Sequence, residues 1–223
     1  MAKHLPMIEL HGFPISNYYN RVKLTLLERD IAFEEFRAAP SHKEEFLQNS
    51  PMGRIPFVKI GDVTLYESLV ILEYLEELYP DKPSLFPKDL QQKAVCRQVI
   101  AVTDLYLDTS LRNLNLFSAN AKEPEETAKK KALATIALAV DALGKLCSFQ
   151  TYALGEELSY ADIAAATTWE WGREALQKLA GEDILLRMDG YGEYIQHLRE
   201  RPAVKKVLRA QKAAIRARNM ANR

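Results

Sequence analysis

In the first third of the chain, segments with a strand-like hydrophobic pattern alternate with segments whose hydrophobic residues have helical spacing. Short β-branched and aromatic runs at 57–60 and 63–66 flank Gly61-Asp62, a pair typical of a two-residue hairpin turn. Directly after the second run, Ser68 begins a segment in which leucines recur at every third position. The pattern therefore predicts a strand, a turn, a strand and then a helix whose N-terminus lies at Ser68.

The segments before this hairpin complete a β-α-β-α-β-β-α order. They are predicted as a strand at 7–11, a helix at 20–29, a strand at 31–37 and a short polar helix at 43–48. The first of these helices carries a broad apolar face, so we expect it to pack on a sheet.

In the rest of the chain every periodic segment is helical. Pro80, Pro83 and Pro87 interrupt regular structure between the two parts of the chain. We therefore predict an α/β domain over 1–80, a linker over 81–88 and an all-helical domain over 89–223. Within the second domain, Ser159 and Asp162 fit a capping box that opens a run of small residues. Because such a run allows helices to approach closely, we predict that it forms a buried central helix.

Charge and cysteine content narrow the function classes. The 223 residues include 30 basic and 30 acidic side chains, so no net charge steers the protein toward nucleic acid or membrane. A basic segment at 205–223 lacks aromatic residues and is interpreted as a solvated helix face. Cys96 and Cys147 form no Cys-x-x-Cys motif, and no cluster has metal-ligand spacing. We expect a cytoplasmic protein without a leader, a metal, or nucleic-acid or membrane partners.

Two stretches indicate a site for a small peptide. Pro56 favours extended geometry at Ile55 and leaves the amide groups of Ile55 able to pair with another backbone. The helix N-terminus at Ser68 attracts a carboxylate. An edge for extended backbone beside a carboxylate site is what a small γ-linked peptide requires. In this setting Arg54-Ile-Pro-Phe-Val, followed by Glu67-Ser68, resembles the glutathione-site signature of the glutathione S-transferases.

The resemblance implies a fold. The family has a thioredoxin-like α/β domain followed by an all-α domain, and the proline of its signature, here Pro56, is cis. A Ser/Thr-x-x-Asp box opens a core helix in these proteins, which implies a structural role for Ser159 and Asp162.

The resemblance also implies how glutathione, the co-substrate, is held. Ile55 is expected to pair with the cysteinyl backbone, Glu67 to hold the γ-glutamyl ammonium, and Ser68 to hold the adjacent carboxylate. The glycine carboxylate is expected to bind a cation near the second helix, and His42 or Lys43 is the candidate. Arg54 either contacts the ligand or is solvated.

Family members activate the glutathione sulfur from the loop between the first strand and the first helix. Ser16 lies where the phi, theta and delta types carry a catalytic serine, and a hydroxyl at a helix N-terminus favours thiolate over thiol. Taken alone, a residue such as Ser16 or Asn17 at this position more often only caps the helix, and Asn17, Tyr18 and Tyr19 are alternative donors to the sulfur. No cysteine lies in this loop, which argues against omega-like and beta-type chemistry. The Ser-Ser-Cys signature of zeta-type maleylacetoacetate isomerases is also missing.

The implied function is conjugation of glutathione to electrophilic, largely apolar compounds. Alternatives are a glutathione-dependent peroxidase or disulfide reductase, and a non-catalytic binding or regulatory protein that keeps the fold. We expect a homodimer paired through the helices after Glu67 and Asp89. The electrophile pocket is expected between the domains. Its expected lining residues are Phe13, Ile15, Tyr106, Ser110 and Leu111.

Overall fold

The structure is a computed structural model that describes residues 6–114 and 124–221. It divides into two compact units. One contains Met1–Ser84 together with Lys205–Arg218, and the other contains Leu85–Val204 together with Asn219–Arg223. The sequence assigns all of 89–223 to a helical domain, whereas the unit that contains the sheet also includes most of the last helix.

The predicted β-α-β-α-β-β-α order is confirmed in the first unit. Its elements are β1 (Ile8–Gly12), α1 (Asn17–Glu28), β2 (Phe33–Arg37), α2 (Glu44–Leu47), β3 (Phe57–Ile60), β4 (Val63–Tyr66) and α3 (Ser68–Leu78). The strands form a sheet in the order β2-β1-β3-β4, in which β1 pairs parallel with β2 and antiparallel with β3. This is the thioredoxin-like arrangement that the sequence resemblance implies.

The core of this unit lies where α1 packs against β1 and α3. Completely buried side chains of these elements and of β3 fill it: Ile8, Leu10, Leu24, Leu26, Val58, Ile71 and Leu75. Each such side chain stabilises the fold by about 1.5–3 kcal/mol relative to an exposed position. The packing therefore fixes the N-terminal ends of both helices relative to the sheet.

The strand register brings the ends of four strands to one edge of the sheet. Gly12 of β1 lies opposite Arg37 of β2, and His11 lies opposite Phe57 of β3, which in turn lies opposite Tyr66 of β4. Neighbouring strands are about 4.8 Å apart, so the four positions span roughly 15 Å. The connecting segments at this edge carry residues 13–16, 38–43, 53–56 and 67–68.

Within the part of the second unit that the structure describes, every named element is helical. Its helices are α4 (Leu90–Val102), α5 (Thr109–Asn113), α6 (Glu126–Leu146), α7 (Tyr160–Ala164), α8 (Glu170–Ala180) and α9 (Tyr191–Glu200), and α10 (Pro202–Ala221) is divided between the units. π-Helical turns at Thr103–Asp108 and Ala165–Trp169 join α4 to α5 and α7 to α8.

Helix α7 lies at the buried centre of the helical unit. Ser159 and Asp162 form a capping box at its N-terminus, and all five of its residues are buried. The Asp162 carboxylate accepts hydrogen bonds from the hydroxyl of Ser159 at 2.8 Å and from the hydroxyl of Tyr194 at 2.9 Å. Burial raises the pKa of Asp162, and these hydrogen bonds oppose that shift. The Asp162 carboxylate is therefore buried in the core with its hydrogen bonds satisfied.

Candidate active site

The segment before β3 presents the backbone of Ile55 at the edge of the sheet. The Ile55–Pro56 peptide bond is cis, and Ile55 is half-buried. Within the described residues, neither the N–H nor the carbonyl group of Ile55 has a hydrogen-bond partner. Because buried backbone groups are normally paired, this stretch can accept the backbone of an extended ligand.

Ser50 holds this segment in place. Its hydroxyl donates to the carbonyl oxygen of Arg54 at 2.8 Å and accepts the N–H of Arg54 at 3.3 Å. Ser50 is buried, so both bonds are largely shielded from solvent. The sequence analysis missed this residue, although a serine directly before Pro51 is a recognisable turn signal.

Gly53 joins two of the loops at this edge. Its carbonyl oxygen accepts the N–H of Ser41 at 3.1 Å, and its φ is 65°. A Cβ atom at Gly53 would lie 2.7 Å from the carbonyl oxygen of Ser41, which is shorter than real contacts allow. Glycine is therefore required here for both its conformation and the close approach of two backbones.

A carboxylate site is formed where α3 begins. Glu67 has a φ of 66°, which is uncommon for a residue other than glycine and is often found at functional sites. Ser68 is 7% exposed, and in the described ranges neither its side chain nor that of Glu67 has a partner. The first amide groups of a helix also lack intrahelical acceptors. A hydroxyl and several N–H groups are thus available to an anion.

Three cationic or titratable side chains surround the edge. His42, Lys43 and Arg54 are exposed, and no ion pair involves them within the part of the chain that the structure describes. The first two belong to the loop that Gly53 joins to the Ile55 segment. They can approach the carboxylate of a ligand that lies along Ile55.

Ser16 lies at the N-cap of α1. Its hydroxyl oxygen accepts the N–H of Tyr19 at 3.2 Å. The apolar periodicity predicts that this helix begins at Asn20. It begins instead at Asn17, because Ser16 provides the cap. Within the described residues the hydroxyl donates to no acceptor, so its proton is available to a ligand. Capping and hydrogen-bond donation are therefore compatible roles for one hydroxyl.

The alternative donors differ in accessibility. Asn17 is fully buried, while Tyr18 is half-buried with the guanidinium carbon of Arg21 5.0 Å from its ring centroid. Tyr19 is 2% exposed, and its hydroxyl donates to the carboxylate of Glu35. The expectation that Tyr19 can donate to a bound sulfur is therefore wrong, because its proton is already committed.

Comparison with known families shows which family this chain belongs to. Residues 10–83 match the sequence model described as "Glutathione S-transferase, N-terminal domain", and residues 106–184 match "Glutathione S-transferase, C-terminal domain". The chain belongs to the glutathione S-transferase family.

Individual relatives agree with this family membership. The protein is 29% identical to a glutathione S-transferase of Pseudomonas putida over 95% of this chain and 96% of that protein. It is 35% identical to a maleylacetoacetate isomerase of Rattus norvegicus over 55% of this chain and 56% of that protein. The crystal structure of poplar glutathione transferase F1 has the same fold, with a TM-score of 0.78 at 24% identity over 93% of this chain and 99% of that one.

The expected electrophile-binding residues of this glutathione S-transferase family member occupy varied environments. Phe13 and Ile15 are half-buried in the loop before α1. Tyr106 is 51% exposed and lines an open groove of about 440 Å³ formed by α4, the following π-helical turn and α6. Ser110 is half-buried. Leu111 is completely buried, and a Cβ atom at Gly172 would lie 2.9 Å from it, so Leu111 belongs to the core of the helical unit.

The cysteines of this family member are not placed for chemistry. Cys96 and Cys147 are free and buried, and burial raises the pKa of each thiol to about 12. Neither thiol is a useful nucleophile near neutral pH. Within the described ranges, no group of three or more His, Cys, Asp or Glu side chains is arranged to hold a metal. No helix there combines the length and the apolar character needed to cross a bilayer.

Proposed function

We propose that this protein binds glutathione at the edge of the sheet and conjugates its thiolate to electrophilic, largely apolar compounds. The observation that carries the proposal is the convergence of four loops at one edge, where Ser16, Ile55 and Ser68 each offer an unused hydrogen-bonding group. Family membership supports glutathione as the peptide.

The tripeptide is proposed to lie along the Ile55 segment as an added strand. The N–H and carbonyl groups of Ile55 pair with its cysteinyl residue, while Glu67 pairs with the γ-glutamyl ammonium and Ser68 binds the neighbouring carboxylate. Exposed side chains complete the site at the other end of the peptide. They are His42 or Lys43 at the glycine carboxylate, with Arg54 alongside.

Ser16 is proposed to stabilise the thiolate by donating its hydroxyl proton as a hydrogen bond. Lowering the thiol pKa from about 8.5 by roughly two units requires about 2.7 kcal/mol. A hydrogen bond to a charged group supplies about 1.5–3 kcal/mol, and a helix N-terminus adds about 0.3–1 kcal/mol. The two effects together reach this amount, so Ser16 keeps its own proton and no general base is needed.

In the proposed reaction the sulfur donates an electron pair to an electrophilic carbon. A C–S bond forms, and the electrophile either expels a leaving group or takes up the displaced electron pair. Four of the five expected side chains remain candidates for contact with the electrophile: Phe13, Ile15, Tyr106 and Ser110. The free thiols of Cys96 and Cys147 favour a reducing compartment, and we propose the cytoplasm.

The substitution Ser16→Ala tests the proposal. We expect the pKa of bound glutathione to rise by about one to two units, while its dissociation constant changes less than about threefold. An ultraviolet difference spectrum of the thiolate measures the first quantity and titration calorimetry the second. Ser148→Ala, an exposed change in the helical unit, serves as the control.

Two results would count against this assignment. An unchanged thiol pKa in Ser16→Ala transfers the role to Asn17 or Tyr18. Absence of glutathione binding by the unmodified protein at millimolar concentration rejects the proposed function itself.

A second candidate function is double-bond isomerisation. The 35% identity to a rat maleylacetoacetate isomerase favours it, although the Ser-Ser-Cys signature is missing. Turnover of maleylacetoacetate, measured beside conjugation of an aryl halide, separates the two reactions. The same panel includes a hydroperoxide and a disulfide, since glutathione-dependent reduction needs no protein cysteine. Glutathione binding without thiolate formation or turnover indicates a regulatory protein.

A homodimer is the proposed assembly. Large apolar side chains are exposed at Val70 of α3 (51%) and at Leu90, the first residue of α4 (79%), in the segments where pairing is expected. Light scattering on Val70→Glu tests this interface, with Met220→Glu, another exposed apolar position, as control. A dimer that resists Val70→Glu excludes this face of α3.

A further inference from the structure

The orientation of the Ser16 hydroxyl depends on where Tyr19 is held. The hydroxyl accepts the backbone N–H of Tyr19 at 3.2 Å. Any shift of that amide changes the direction in which Ser16 can donate its proton, because an acceptor bond on oxygen restricts the rotation of the hydroxyl. By holding this amide in place, the side chain of Tyr19 therefore affects the direction of the Ser16 hydroxyl without contacting a ligand.

The ring of Tyr19 is seated on the backbone of β1. A Cβ atom at Gly12 would lie 2.4 Å from Cδ2 of Tyr19, so only glycine leaves room for the ring at this position. The ring is 2% exposed and packs at the end of β1, directly before the loop that leads to Ser16. This contact fixes the first turn of α1 against the end of the strand.

The hydroxyl of Tyr19 is held by a second strand. It donates to Oε2 of Glu35 in β2, and Nζ of Lys23, one turn further along α1, lies 2.6 Å from the same oxygen. Tyr19 and Lys23 thus attach one face of α1 to β2 through a single carboxylate. The positive charge of Lys206 in α10 also lowers the pKa of Glu35, and Lys206 belongs to the same unit as Glu35.

The protonation states suit these roles. Burial raises the pKa of Tyr19, and the hydrogen bond to Glu35 and the charge of Glu35 raise it further, so the phenol remains a donor. Burial would raise the pKa of Glu35, but the hydrogen bonds from Lys23 and Tyr19 and the charges of Lys23 and Lys206 lower it overall. Glu35 is therefore an ionised acceptor at neutral pH.

We infer that Tyr19 is a positioning residue for thiolate formation, fixed by Gly12 and Glu35 so that its amide orients the hydroxyl of Ser16 toward the glutathione sulfur. The inference rests on the proposed function, because it assumes that Ser16 is the donor. It assigns a positioning role to two residues that lie outside the ligand-binding loops, Tyr19 and Glu35.

The substitution Tyr19→Phe tests the inference, because it keeps the ring on Gly12 and removes only the donor to Glu35. We expect the pKa of bound glutathione to rise by about half a unit and kcat with an aryl halide to fall about threefold, with the KM for glutathione unchanged. Tyr152→Phe is the matched control, since its hydroxyl accepts from Arg201 at 2.6 Å in the helical unit. The control should leave both quantities at their wild-type values.

Changes at Glu35 separate positioning from general loss of stability. Glu35→Gln keeps an acceptor for the phenol and should retain most of the wild-type thiol pKa, whereas Glu35→Ala should match Tyr19→Phe. The double variant with both Tyr19→Phe and Glu35→Ala should show no further shift, because the two residues act through one contact.

The outcomes distinguish two failures. If wild type forms the thiolate and Ser16→Ala raises the thiol pKa, but Tyr19→Phe does not, the positioning role is overturned and the proposed function stands. If Ser16→Ala itself has no effect on the thiol pKa, the premise about Ser16 fails instead.

Discussion

Ser68 and Ser16 are both serines at helix N-termini, yet they serve different parts of the proposed ligand. Ser68 is the first residue of α3 and has no side-chain hydrogen-bond partner among the described residues, whereas Ser16 already accepts one backbone bond. The first is suited to bind a carboxylate tightly, and the second to donate one oriented proton. The two serines should therefore affect different measurements.

Ser68→Ala is expected to weaken glutathione binding about tenfold. The lost hydrogen bond to a charged group accounts for about 1.4 kcal/mol of binding free energy. The pKa of the bound thiol should stay at its wild-type value, because the substitution is at the carboxylate end of the site. Titration calorimetry gives the affinity, and Thr64→Ala on the exposed face of β4 is the control. Equal affinity in Ser68→Ala and wild type would remove Ser68 from the site.

Individual residues of the site could be predicted where their role is local in sequence. The pair Glu67-Ser68 follows a recognisable hairpin and begins a recognisable helix, so its position at a helix N-terminus follows from neighbouring residues alone. Tyr19 and Leu111 could not be placed in this way. The contact of Tyr19 with Glu35 depends on the pairing of β1 with β2, and the burial of Leu111 depends on α8 packing at Gly172.

Among the elements, the loop closed by Gly53 leaves no room for a larger residue at that position. We expect Gly53→Ala to lower the free energy of unfolding by about 1–3 kcal/mol, because a non-glycine residue at positive φ is strained and its Cβ would meet a carbonyl oxygen. Affinity for glutathione should fall as well, since the loop positions Ile55. Denaturant unfolding and calorimetry measure the two effects.

Gly181 provides the matched control for that experiment. Its φ is 77°, and a Cβ atom there would have no neighbour within 4 Å. Gly181→Ala therefore carries the conformational strain without the close contact. If both variants lose the same stability, the approach of the two loops at Gly53 contributes nothing.

The strands of the hairpin have the bounds that the sequence predicts, because a short alternating run between turn residues leaves little freedom. The first helix was predicted less well, since its apolar pattern starts later than its cap. The π-helical turns were not predicted, because the apolar spacings of three and four residues in the segment before the first turn are those of an α-helix.

At the scale of the whole molecule, Arg29 ties the end of α1 to the chain segment that leaves the first unit. Its side chain is fully buried, and it donates to the carbonyl oxygens of Pro83 and Tyr79, both at 2.9 Å. Arg29→Lys should reduce the free energy of unfolding by about 2–4 kcal/mol, because one ammonium cannot span both acceptors and leaves buried groups unpaired.

Lys82 offers a comparison at the same junction. Its ammonium donates to the carbonyl oxygen of Asp30 at 2.8 Å, but the contact is exposed. Lys82→Ala should lower the free energy of unfolding by less than about 0.5 kcal/mol. Denaturant titration of both variants checks the difference, and equal losses would show that burial is not what makes Arg29 important.

The division into an α/β part and a helical part could be predicted from the change in periodicity and the prolines between them. The grouping of Lys205–Arg218 with the sheet could not. An amphipathic helix at the end of a chain shows which face is apolar, but not which surface covers that face.

The buried state of Cys96 and Cys147 has a practical consequence for studying this protein. A chromogenic disulfide reagent reacts with accessible thiolates, and the native chain offers none from these two side chains. Colour developed with the folded protein and saturating tripeptide would therefore report the reactivity of the small molecule without a protein background. The same shielding should protect the polypeptide from glutathionylation during oxidative stress, when the ratio of oxidised to reduced tripeptide increases.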